Sequence, residues 1–107
     1  MVSNASATMR KEIRPMKPKF TPGIVAATPG ALAVLNNDLD LASMLVTRHV
    51  CGDFGDICAE DAGLNAEAIR LGGARVMSVY KLFEAGTVWI ITEADRASTT
   101  LLTPAEY

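Results

Sequence analysis

Hydrophobic and polar positions change period along the chain, and the changes divide it into parts. Residues 1–19 are polar, basic and proline-containing, from Ser3-Asn4-Ala5-Ser6 to Lys17-Pro18-Lys19. That composition predicts a disordered or loosely docked tail, with Met9 and Met16 as alternative starts within it. A single domain, residues 20–107, follows. Thr21-Pro22-Gly23 signals a turn, and residues 23–27 read as a short buried strand or extended segment. Thr28 then caps a helix with Pro29 at its first position, where the missing N–H was an orphan in any case. This helix is expected over residues 31–36. A second starts at Asp38 or Asp40. It places Leu41, Met44 and Leu45 on one apolar face and runs out near His49. Gly52 and Gly55 break the period into a loop. A third helical stretch is expected over 57–71, kinked at Gly63 and stopped by Gly72-Gly73.

After Gly73 the period falls to two. Residues 75–83 alternate and are β-rich, Glu84-Ala85-Gly86 forms a hairpin turn, and residues 87–92 are too apolar for an edge strand. Residues 98–102 make a further strand, stopped by Pro104. Helices followed by a meander predict an α+β domain: about three N-terminal helices packed on an antiparallel sheet of three or more strands. Val76, Val88, Ile90, Ile24, Leu41, Leu45 and Ile69 are the expected core. Trp89 and Tyr80 are expected to share the other sheet face, partly covered by a partner or a dimer mate.

Half of the 107 residues are hydrophobic, enough for one core without disulfides or metal. The charge is unevenly placed. Five basic residues against Glu12 give residues 1–19 a net charge of +4, and five basic against eleven acidic residues give 20–107 a net charge of −6. An acidic domain is a poor direct binder of nucleic acid, whose affinity comes from neutralising phosphates. Its acidic residues are also too thinly spread for a DNA mimic. Cys51 and Cys58 are too few for a disulfide framework and read as reduced thiols. No apolar run is long enough to span a membrane, and no signal-peptide core is present. A cytoplasmic protein without membrane contact is the expectation.

The chemistry-bearing residues gather in two segments. Arg48-His49-Val50-Cys51-Gly52-Asp53-Phe54-Gly55-Asp56 runs on to Glu60-Asp61, and Trp89-Ile90-Ile91-Thr92-Glu93-Ala94-Asp95-Arg96 lies about forty residues later. They hold the only His, the only Trp, both cysteines and six of the twelve acidic residues. As a catalytic or nucleotide-binding cleft, His49 would be the general base, with Asp53, Asp56 or Glu93 orienting it and Arg48 and Arg96 clamping a phosphate. His49, Tyr80 and Glu93 also follow the chain order of the residues used by ADP-ribosyltransferases. In the plainer reading His49 caps its helix as a cation. A metal fits poorly: His49, Cys51 and Cys58 lack zinc spacing, and Asp53, Asp56 and Glu60 lack a calcium-loop pattern. No cofactor is implied. A structural clasp explains the same residues, with Arg48 meeting the carboxylates that follow the strand, Glu93 and Asp95. Phe54, held between glycines, is either an exposed contact for a protein partner or a core plug.

The run Thr28-Pro29-Gly30-Ala31, Arg48-His49-Val50 with Gly52-Asp53, Ser78 and Tyr80, the Trp89–Arg96 segment, Thr99-Thr100 and Glu106-Tyr107 resembles a family of small bacterial proteins. These are described as plasmid-related or mobile-element proteins of unknown function, some with a restriction-modification label. The resemblance covers most of residues 20–107; Phe54 and Thr103 stand where the family has Trp and Leu. It implies a genomic setting and no activity. The leading expectation is a non-enzymatic accessory or regulatory protein of a plasmid or mobile element. It would bind a protein partner, such as a host defence component, through Arg48, Phe54, Asp56, Asp95 and Arg96, and a homodimer is compatible. The alternative is a small enzyme or nucleotide-binding domain using His49, Asp53, Glu93 and Arg96.

Overall fold

The computed structural model describes residues 17–107, so most of the basic tail, with Met9 and Met16, lies outside the described residues. The domain is α+β, with three helices and a four-stranded mixed sheet. Strand β1 (Ile24–Ala27) leads into helices α1 (Pro29–Val34), α2 (Leu39–Val50) and α3 (Ala59–Leu71), followed by β2 (Val76–Lys81), β3 (Thr87–Thr92) and β4 (Ser98–Leu102). The sheet order is β1-β4-β3-β2. Strands β2, β3 and β4 form the expected antiparallel meander, with β3 central. The expectation of a purely antiparallel sheet behind N-terminal helices is corrected at β1: a strand precedes the helices and pairs parallel to β4, Ile24 beside Ser98.

Local chemistry accounts for the helix boundaries. Thr28 Oγ1 accepts from the Ala31 N–H at 3.1 Å, and Asp38 Oδ1 accepts from the Leu41 N–H at 3.0 Å. Each satisfies a donor with no partner inside its helix. Helix α3 runs through Gly63 as one element from Ala59 to Leu71.

Register assigns the faces. Val76, Ser78 and Tyr80 stand beside Thr92, Ile90 and Val88, and Thr99 and Leu101 beside Thr92 and Ile90. This face lies under the helices and, with Ala31, Leu35 and Leu45, forms the core. Tyr80 is therefore a core residue on the face opposite Trp89, contrary to expectation, because the register places Val79 rather than Tyr80 beside Trp89. Ile24 is the other correction: it is 76% exposed, because its strand is an edge. Leu41 and Ile69 are only half-buried.

The β2 edge is covered by side chains and loop. Asn65 of α3 pairs with the N–H and C=O of Met77 at 3.1 and 2.7 Å. The Phe54 carbonyl accepts from the Val79 N–H and the Asp56 N–H donates to the Val79 carbonyl, at 3.0 and 2.7 Å. Asp56 Oδ2 accepts from the Lys81 N–H. A strand edge whose backbone groups are satisfied this way is no template for another chain.

Candidate functional site

His49 lies in the last turn of α2, where the helical period points it at the sheet, and it has no exposed surface. Its Nδ1 is 2.5 Å from Ser78 Oγ and its Nε2 is 2.9 Å from Thr92 Oγ1. Thr92 Oγ1 lies 2.6 Å from Thr99 Oγ1, and Thr99 donates to the Pro22 carbonyl at 2.7 Å. The proton order follows from that last bond. A carbonyl only accepts, so the single Thr99 proton is committed to Pro22. Thr92 must then donate to Thr99, and His49 must carry its proton on Nε2 and donate to Thr92. Ser78 donates to Nδ1. The neutral ring thus uses both nitrogens. The rings of Phe20 and Phe54 meet it edge-on, with centroids 5.3 and 6.3 Å away. Burial pushes the His49 pKa down to about 4. The helix-capping cation expected from its position is instead a neutral core imidazole, because desolvation penalises the charged form.

The charged residues are engaged around this core. Arg48 forms a two-point pair with Asp53, at 2.7 and 3.2 Å, rather than reaching Glu93. Its guanidinium lies over the Tyr80 ring, 4.8 Å from the centroid. The pair holds the Asp53 carboxyl below its ordinary pKa and raises that of Arg48. Both side chains are substantially exposed, so solvent limits the pair to about 0–1 kcal/mol. Tyr80 donates to the Asp53 carbonyl at 2.7 Å, and burial pushes its phenol up to about 12. Glu93 pairs with Arg75 at 3.2 Å. Asp95 accepts from the Ala97 N–H and shapes the β3–β4 turn.

Arg96 closes that turn in a left-handed conformation, φ 60°, and donates to the carbonyls of Ala74, Glu93, Ala94 and Ala68. Its guanidinium lies 5.6 Å from the Phe20 ring centroid. The planar fork ties the turn to the end of α3 and the strand entry, work a single ammonium cannot reproduce. Arg96→Ala is expected to lower the unfolding free energy by about 2 kcal/mol, with Arg96→Lys recovering less than half. Urea denaturation checks this; an unchanged midpoint in Arg96→Ala would refute the staple.

The two segments therefore meet inside the protein, through the His49–Thr92 bond, while their charges diverge. Arg48 and Asp53 lie beside β2, and Glu93, Asp95 and Arg96 at the β3–β4 turn. Phe54 is half-buried against His49, and Asp56 seals the β2 edge. Among the described residues no group of three or more His, Cys, Asp or Glu could hold a metal, and Cys51 and Cys58 are free. No described helix is long and apolar enough to cross a membrane.

Sequence reasoning left Ser78, Thr92 and Thr99 without a role; a signal existed only for Ser78, a polar residue at an inward position of the alternating strand β2. It also missed Phe83. The connection between β2 and β3 is a short 3-10 turn, Phe83–Ala85, and Phe83 at its start is fully exposed with φ 52°.

Fold and site define a small α+β domain with a mixed sheet, a sealed polar core and its charged groups tied into loops. No protein-family model, curated protein or solved structure matches the chain.

Proposed function

We propose that the chain is a non-enzymatic accessory or regulatory protein of a plasmid or other mobile element, acting by binding a protein partner such as a host defence component. The observation that carries the binding reading is Phe83. A bulky residue in the left-handed region costs on the order of 1 kcal/mol or more. Here the ring recovers nothing by burial among the described residues. The turn is held at its base by the Leu82 N–H donating to Gly86 at 2.8 Å and by Leu82 packing on the core. An aromatic ring presented on a tethered tip is the kind of anchor that fills a partner's pocket.

The alternative, a catalytic cleft on His49, Asp53, Glu93 and Arg96, has less support. The imidazole is enclosed with both nitrogens bonded, Asp53 faces Arg48, Glu93 faces Arg75, and the Arg96 fork is spent on carbonyls. The plasmid setting rests on the sequence resemblance alone.

Phe83→Gly separates binding from folding. Glycine takes positive φ freely, so the variant should be as stable as the parent or more stable by up to about 1 kcal/mol. It should nevertheless lose the partner captured by the immobilised parent from source-cell lysate. Retention of every captured partner by a folded Phe83→Gly protein would sink the proposal.

A further inference from the structure

The two edges of the sheet are finished differently. Where β2 is sealed, β1 is open. Ile24 and Thr28 direct their N–H groups to the carbonyls of Ala97 and Leu101, at 3.0 and 2.9 Å. Alternation then turns the backbone N–H and C=O of Val25 and Ala27 away from the sheet. Among the described residues no strand pairs with that side. The strand, Ile-Val-Ala-Ala, has no charge and no proline, the usual protections of an edge. Next to it is an apolar groove of about 440 Å³, which neither α1 nor α2 fills. Val25, Ala27 and Leu101 line its sheet side, and Leu32, Leu39 and Val46 its helix side. Leu39 is 70% exposed.

We infer that this edge joins two copies of the chain, β1 against β1 in antiparallel pairing, about a twofold axis at Ala26. The edge is its own complement. With Ala26 opposite Ala26 of the second copy, each Val25 faces an Ala27, and the pairs exchange about four N–H···O bonds between groups otherwise left to water. No charged side chain lines the edge or the groove, so a like copy meets no like-charge repulsion there. The paired strands are only four residues long, so even with Val25 and the two grooves drawn together the contact is small beside the roughly 1,000 Å² at which specific, stable interfaces begin. A concentration-dependent dimer follows rather than an obligate one. The contact is independent of Phe83, which sits at the far side of the sheet on the β2–β3 turn.

Sedimentation equilibrium of the full chain over micromolar to sub-millimolar concentrations tests this. The mass should rise from 11.4 kDa towards twice that value. Val25→Pro removes an outward N–H while leaving the bonds to β4, and should remain monomeric with an unchanged circular dichroism spectrum. In a background with Cys51 and Cys58 replaced by Ser, Ala26→Cys should oxidise to a covalent dimer far faster than Leu64→Cys on α3. The inference is overturned by a mass that stays monomeric throughout, by a Val25→Pro protein that dimerises like the parent, or by equal cross-linking of the two cysteine variants. A monomer that dimerises only after removal of residues 1–16 would assign the edge to that segment and overturn it equally.

Discussion

Acidification from pH 6.5 to 4 is expected to weaken the fold by about 3 kcal/mol through one side chain, His49. Its folded pKa of about 4 lies below the ordinary 6.5, so the unfolded chain binds the proton first. The neutral-ring stability is full above pH 6.5 and is lost as pH falls towards 4. The cause is structural: a protonated Nδ1 would need an acceptor where Ser78 now donates, and the charge would be held away from water, with the Phe20 and Phe54 rings as neighbours. Asp53 and Glu106 act in a lower window. Their folded pKa values are depressed, that of Glu106 to about 2, so their contribution is full above the ordinary carboxylate range and is lost as pH falls through that range towards the folded values. Glu106 lies in solvent, and water screens most of its effect on stability. At neutral pH, His49→Ala should by itself lose about 3–5 kcal/mol, because it leaves a cavity and strands the Ser78 and Thr92 hydroxyls. That approaches the whole stability of a domain this size. His49→Gln, which can still donate and accept, serves as the folded control. Urea midpoints of parent and His49→Gln across pH 7 to 4.5 decide the matter: parallel curves would show that His49 is not the sensor.

Gly55→Ala is the second large effect, expected to cost about 3 kcal/mol or more. Gly55 has φ 71°, and a Cβ there would lie 2.1 Å from the Val79 carbonyl oxygen and 2.7 Å from Tyr80 Cδ1. Neither neighbour can yield, since one is sheet backbone and the other a core ring. The loop would lift from β2, breaking the bonds of Phe54 and Asp56 to Val79 and the Tyr80 bond to Asp53. Gly63→Ala is the contrast. A Cβ there meets nothing within 4 Å, and alanine in a helix interior is favoured by about 0.5–1 kcal/mol. Denaturant midpoints should therefore move in opposite directions, and amide exchange at Val79 should accelerate only in Gly55→Ala. A tolerated Gly55→Ala would mean that the loop does not seal the edge.

Much of the fold was legible because its signals are local. The Thr28 and Asp38 caps, the change from helical period to alternation, and the bounds of β3 and β4 depend on near neighbours in the chain. Ile24-Val25-Ala26-Ala27 was misread because an apolar run says only that a segment resembles a strand. Whether it is central or an edge depends on pairing with Ser98–Leu102, more than seventy residues away. The candidate site was legible as a concentration of residue types and not as an arrangement. Arg48 reaches Asp53 five residues on, so the local partner takes it, while Glu93 is left to Arg75. Phe83 was passed over because the alternating run 75–83 reads it as the end of a strand, whereas the strand stops at Lys81 and a 3-10 turn begins at Phe83.

The sequence by itself determined the class of domain, the caps, the meander and the two segments where ionisable groups gather, since each follows from propensity, periodicity or composition over a few residues. Only the tertiary structure decided what those groups do. It buried His49 as a neutral hydrogen-bonded ring, spent Arg96 on backbone carbonyls, sealed one sheet edge and left the other open. Those outcomes depend on which distant backbone and side-chain groups arrive within about 3 Å of one another, the distance at which hydrogen bonds form and desolvation sets charge.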